Sequence, residues 1–207
     1  MSKVGRWTHK LSVLDYNQVG GINEAFKMVY DFYVKPDETV LDMCCGKKLM
    51  YRGYDYPNVE FNDVVPELEA DYHYDCREIS KHIDKTYNWA VYDPPYVDIK
   101  GRDDERDDDY KYDMVGDLDD FREFTLLSKA EILNLLEPGG GVIAKITDFH
   151  WDGELHGHHD LIEWFRPEFY IWDLRIYRFF RRGFNINWYT RKCFKTHSYF
   201  LVFKSKT

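Results

Sequence analysis

Residues 88–98 read NWAVYDPPYVD, an apolar run that leads straight into Asp93, Pro94, Pro95 and Tyr96. A proline locks its own φ near about −65° and restricts the residue before it, so this order sets a carboxylate beside a carbonyl of fixed direction. Two adjacent acceptors suit an NH2 group whose lone pair is delocalised into a ring. Hydrogen bonds from that NH2 to the Asp93 carboxylate and the Pro94 carbonyl favour a pyramidal nitrogen and stabilise the positive charge that grows as it attacks an electrophile. Tyr96 offers a stacking face to a flat base taken out of its helix. Taken alone, Asp-Pro-Pro is also an ordinary way to end a strand on a solvated acid. The neighbouring elements therefore have to decide.

Those elements alternate. Apolar spacing at Ile22, Phe26, Val29, Tyr30 and Tyr33 predicts a helix after Gly20 and Gly21, stopping before Pro36. Short strands are predicted at 39–43, 58–63 and 70–75, and the opening stretch is a fourth. A helix over about 119–136 with Phe121, Phe124, Leu127, Leu133 and Leu136 apolar, a glycine turn, and a fifth strand over 141–146 follow. A helix near 160–165 and strands at about 170–177 and 198–204 complete the chain. Strands alternating with helices predict a doubly wound α/β fold, a mostly parallel sheet covered on both faces. In such sheets ligands bind at the carboxyl ends of the strands. Asp42, Asp63, Asp75 and Asp93 each end a predicted strand, so four carboxylates are expected on one rim.

A glycine turn after the first of these strands and an acid at the end of the next suit an adenosine-type cofactor. No GxGxxG is present, and Gly46 is followed by Lys47 and Lys48, which argues against a pyrophosphate and hence a dinucleotide. An adenosine without phosphates remains.

In this order, VLDMCCG, NVEFND, ADYHYDCRE, YDPPY and LEPGGGVIAKITD resemble a Rossmann-like S-adenosylmethionine-dependent methyltransferase of the amino-methylating kind. More narrowly, the chain is similar to small phage and prophage DNA methylase-like proteins, over roughly 34–148 and again at THSYFLVFK, 196–204. The resemblance implies a seven-stranded, mostly parallel sheet with its last strand antiparallel. It implies S-adenosylmethionine as cofactor, with Asp42 and Gly46 at its methionine end, Cys44 in the same turn, Asp63 on the ribose, and Asp75 with the backbone of Cys76 facing the adenine. Asp93, Pro94, Pro95 and Tyr96 become the catalytic tetrapeptide. An Asp-headed tetrapeptide points mainly to adenine N6 and a Ser-headed one to cytosine N4. One departure is GKKLM, which sets two lysines where small residues are common.

Charge bears on the partner. The net charge of −9 disfavours nucleic acid by itself, but it is unevenly spread. An acidic loop over 97–118 contains RDDERDDD, whereas beyond Trp172 nine basic residues face one acid, Asp173. In the topology implied by the resemblance, the connection 178–196 rises on the same rim as Asp93. Arg178, Arg181, Arg182, Arg191, Lys192 and Lys195, interleaved with Phe184, Trp188 and Tyr189, are the mixture expected for phosphate contacts and base stacking in DNA, with RNA open. The acidic loop is expected to be either a solvated run or a lid over this hairpin.

A single domain over 1–207 is expected, with a helical lead-in at 1–36. Met1 to Lys10 has no apolar signal core and no apolar run reaches a membrane span, so a cytoplasmic location is expected. Cys44, Cys45, Cys76 and Cys193 lack CxxC spacing and read as ordinary buried thiols. HWDGELHGHHD carries four histidines among acids and reads as a polar rim loop, with no metal expected. The rival readings are an RNA or protein-glutamine methyltransferase, or a nucleic-acid-binding module that has lost turnover. A dimer is open.

Overall fold

The computed structural model describes residues 12–95, 116–178 and 197–207. Short apolar strands form its centre: β2 (Val40–Asp42), β3 (Val59–Phe61) and β4 (Tyr87–Tyr92) run parallel, with Asp42 opposite both Phe61 and Val91. β5 (Leu136–Ile146) continues the parallel set beside β4. β9 (His197–Ser205) lies antiparallel between β5 and β8 (Phe169–Arg178), and β1 (Val13–Asp15) runs parallel along β8. The seven-stranded order is β1-β8-β9-β5-β4-β2-β3.

Alternation along the strands loads both faces. Phe200 and Val202 of β9 join Trp89, Val91 and Ile143 against α2 (Ile22–Tyr33), whose Phe26 and Val29 are buried. Tyr199, Leu201 and Phe203 turn the other way, joining Tyr92, Val142 and Ala144 against α3 (Leu118–Leu135) and α4 (His158–Phe165). A four-residue turn of helix (Tyr16–Val19) follows β1. Among the described residues no helix is long and apolar enough to cross a membrane.

Several expectations need correction. The strand predicted at 70–75 reduces to one bridge, Asn62 with Tyr72. Its ladder is replaced by the Asn62 side chain, which donates to the Met43 and Tyr74 carbonyls and accepts from the Tyr74 N–H. The seventh strand comes instead from the lead-in expected to be helical: β1, at the opposite edge. Of the apolar residues predicted to face the core from α3, Phe121 is buried and Phe124, Leu133 and Leu136 pack against that core, but Leu127 is exposed; the centre of the buried face carries Ile132 and Leu135 together with Thr125, Ser128 and Lys129. Ser128 donates to the Phe124 carbonyl and faces the Cys76 thiol at 3.3 Å, while Lys129 Nζ donates to Trp164 O and Glu168, so burial there is polar and satisfied.

The polar rim loop expected over 150–160 is instead mostly a hairpin, β6 (Phe149–Trp151) with β7 (Glu154–His156), running into α4 at His158. Asp152 and Gly153 both have positive φ, 45° and 88°, which is the two-residue Asp-Gly turn that the right-handed twist of paired strands selects. In β8 a bulge interrupts the ladder between Ile171 and Asp173.

β5 begins five residues earlier than the predicted 141, because Leu136 already pairs with Tyr87; the Pro-Gly-Gly-Gly segment then interrupts the ladder, with Gly139 at φ 71°, before pairing resumes at Gly141 with Trp89. Gly141 is required there: a Cβ would lie 2.3 Å from the ring of the buried Trp89. Gly141→Ala is expected to cost about 1–3 kcal/mol through overpacking, measurable by urea denaturation, and a change within error would mean that Trp89 can shift.

Candidate active site

Because β2, β3, β4 and β5 are parallel, their carboxyl ends share a rim, which also receives the start of the antiparallel β9 and the ends of β8 and β1. Asp42, the last residue of β2, is fully buried; it accepts from Tyr51 Oη at 2.6 Å and from the Cys44 N–H at 3.0 Å. These bonds brace the turn that follows, where Gly46 and Lys48 both have φ of 51°. Asp63, after β3, closes the same turn by accepting from the Gly46 N–H at 2.8 Å and also takes the Val65 N–H. Lys48 Nζ lies 4.1 Å from the centre of the Phe61 ring, a cation–π contact.

Burial raises Asp42 from its ordinary 3.8 to about 7; the Tyr51 and Cys44 bonds oppose the rise, and the charges of Asp93 and Asp63 add to it. Asp42 is therefore within electrostatic reach of both Asp63 and Asp93. Asp75 is not part of this group. Its carboxylate is gripped by the Arg77 guanidinium and backbone N–H, which hold it below the ordinary range against the opposing effect of burial. The Cys44 thiol is pushed well up, by its bond to Cys76 first and then by burial, and burial likewise raises Cys45, so these thiols stay protonated.

A carboxyl held protonated by the fold favours folding at low pH. The contribution of Asp42 is full below about pH 4 and is lost as the pH rises to about 7, where its ionised form must be accommodated. Asp42→Asn is expected to flatten the stability profile between these limits and to gain at most about 4 kcal/mol relative to the wild type at pH 8, as read from urea melts. A steeper profile in the variant would contradict this assignment.

Asp93 follows β4 directly, with Pro94 buried and Pro95 half-buried behind it. Both of its carboxylate oxygens meet Lys145 Nζ, at 2.8 and 3.0 Å, and both side chains are mostly shielded, 22% and 15% exposed. Tyr96 lies outside the described residues, as do Arg181, Arg182, Arg191, Lys192, Lys195 and most of the acidic loop. Arg178, at the end of β8, pairs with Asp15 at the end of β1.

Beyond β5 the rim continues with Asp148, which accepts from His158 Nδ1 at 2.6 Å and from Tyr199 Oη at 3.2 Å. His197 Nε2 meets the same Tyr199 hydroxyl at 2.8 Å, and the His158 and Tyr199 rings stack at 4.1 Å. Burial pushes Asp148 up, but the His158 bonds prevail and hold it below the ordinary carboxylate range.

No protein-family model matches the chain, and no curated protein matches it significantly. Solved structures do. An S-adenosylmethionine-dependent methyltransferase from Methanosarcina mazei aligns at TM-score 0.51 and 12% identity, over 86% of this chain and 96% of that one. A protein from Clostridium thermocellum assigned as an rRNA methylase gives 0.51 at 13%, covering 88% and 96%. A protein from Bordetella parapertussis, provisionally named as exported, gives 0.55 at 11%, covering 89% and 67%. The fold is that of a Rossmann-like methyltransferase. At these identities the likeness concerns architecture.

Within the methyltransferase fold, two rim residues escaped the sequence reading. Lys145 announces itself as a charge inside GVIAKI, an otherwise apolar strand, which is a position that needs a partner. Asp148 follows β5 as Asp42, Asp63 and Asp93 end or follow β2, β3 and β4, an acid of the same kind.

Proposed function

We propose that the protein transfers the methyl group of S-adenosylmethionine to an exocyclic base amine, most suitably adenine N6 in DNA. One observation carries the reading: Asp93, with its two prolines, stands at the carboxyl end of β4 on the same rim as Asp42 and Asp63, in a methyltransferase fold. The donor set fits the cofactor. The Asp63 carboxylate, beside Asp42, favours a ligand bearing a sulfonium and an ammonium and opposes a pyrophosphate. Asp42, Cys44 and the Gly46 turn would hold its methionine end and Asp63 its ribose, with Asp75 and the backbone of Cys76 toward the adenine.

When bound, the sulfonium supplies an activated methyl group: nitrogen bonds the carbon as the carbon–sulfur bond breaks and sulfur keeps the electron pair. The chain does the rest. Asp93 accepts from the NH2 and keeps its nitrogen directed at the methyl carbon, and Pro94 fixes the second acceptor. Lys145 orients Asp93. The surplus proton on the new N-methyl nitrogen leaves toward that carboxylate or to water. Arg178, Arg181, Arg182, Arg191, Lys192 and Lys195 supply phosphate contacts in this reading.

A second reading has its own support. Asp42, Asp63, Asp75 and Asp93 are all engaged by groups of the protein itself, as in a binding module without turnover. Calorimetry with S-adenosylmethionine and labelled methyl transfer to DNA, RNA and protein separate the readings. Binding with transfer to DNA is expected. Transfer to RNA alone, in keeping with the name of the C. thermocellum neighbour, or to protein alone would replace the substrate, and absent cofactor binding would leave the silent module.

A further inference from the structure

We propose that His156, His159 and Asp160 form a transition-metal site, best suited to zinc, that staples β7 to the first turn of α4. One ligand atom from each of these residues lies within 4.8 Å of the others. His156 Nδ1 stands 3.2 Å from one carboxylate oxygen of Asp160, and His159 Nε2 stands 3.5 Å from the other. Tetrahedral zinc with bonds of about 2.0–2.1 Å needs its ligand atoms roughly 3.3 Å apart. The His156–Asp160 separation already matches, and His159, which meets the other carboxylate oxygen, brings its ligand atom within 4.8 Å of that pair on a ring that is 50% exposed and has room to turn inward. Two imidazoles and one carboxylate are a borderline donor set that favours zinc over magnesium or calcium, and three protein ligands leave a fourth position for water.

A helix cap accounts for part of this cluster and not for all of it. Asp160 accepts from the Gly157 N–H at 2.7 Å, which closes the first turn of α4, and His156 shares that same oxygen. Capping needs neither the second oxygen nor His159. Nonetheless the His156 and His159 rings lie nearly parallel, 22° apart with centres at 6.2 Å, on either side of the carboxylate. Access is favourable as well. His156 lines an open cleft of about 400 Å³ whose wall also carries Asp117, Asp119, Asp152 and Glu154, a set of charges that raises the local concentration of cations. Coordination involves no redox step: the neutral imidazoles and the ionised carboxylate donate lone pairs as the ion sheds water. His158, between the two histidine ligands in sequence, holds Asp148 on the rim, so a metal staple would also fix that rim contact.

The test uses the full chain without a histidine tag. Zinc titrated calorimetrically should bind at one equivalent with micromolar affinity or better and raise the melting temperature by several degrees. Cobalt should give the visible bands of a tetrahedral ion without thiolate charge transfer, which excludes the cysteines. His159→Ala, which leaves the Gly157–Asp160 cap intact, should weaken zinc at least tenfold with the metal-free melting temperature unchanged; His156→Ala should weaken zinc as much, with some loss of metal-free stability because it also removes the bond to Asp160 and the contact with Phe149. Absence of binding, unchanged affinity in His159→Ala, or a thiolate signal would overturn the site.

Discussion

Asp93→Ala is expected to lower the methyl-transfer rate constant by a factor of about 10² to 10⁴, the range associated with a group that handles a proton or charge in the transition state. Affinity for S-adenosylmethionine should change by less than about threefold, because binding energy common to ground and transition states is left in place. The separation follows from where the residue sits. Asp93 ends β4, whereas the turn braced by Asp42 and Asp63 follows β2. Single-turnover transfer to DNA measures the first quantity and calorimetry the second. A variant with full turnover would sink the proposed role of the carboxylate. Loss of cofactor binding together with rate would make Asp93 a cofactor ligand instead.

Lys145→Met is expected to cost about 10- to 100-fold in kcat, with a smaller effect on cofactor affinity, since even a 1 Å misplacement of a reacting group is worth about 10²-fold. Two effects compete. An ammonium beside the substrate amine opposes the positive charge that develops on nitrogen, which would make its removal beneficial. Against this, Lys145 meets both oxygens of a largely shielded carboxylate, and its loss removes that orientation and a paired charge. The orienting contact is a direct charged hydrogen bond at 2.8 Å, so a net loss is expected. Lys145→Arg should recover part of the rate, because it keeps the charge and can still span both oxygens. A faster Lys145→Met enzyme would mean that the lysine restrains Asp93 rather than aims it.

How far the chain could be read depended on the kind of signal each element leaves. α2 was legible because Ile22, Phe26 and Val29 recur at helical spacing and all face one core. β2, β4 and β9 were legible because strands buried on both faces are uninterrupted apolar runs. β1 left no such trace: three residues, one of them buried, are too few for a period, and their place is set by β8. The segment at 70–75 carries tyrosines in strand-like alternation, but the Asn62 side chain takes over its hydrogen bonds, and periodicity does not report which partner a backbone group will find. Asp152-Gly153 was a readable turn, obscured by the attention that histidines attract. At the rim, the acids ending β2, β3 and β4 were visible as a pattern. Their partners were not: Tyr51 stands in a short turn after β2 that leaves no periodic signal, and Lys145 reaches Asp93 from the neighbouring strand, 52 residues away in the chain.

The bulge between Ile171 and Asp173 bears on how the molecule keeps to itself. Among the described residues β1 pairs with β8 only from Ile176 to Arg178, and farther along that strand Tyr170 and Trp172 are 60% and 66% exposed. An open, apolar edge is a template on which another chain can add a strand. The extra residue twists the edge out of register where it is most apolar, so that an approaching strand could match it for only a few residues at a time.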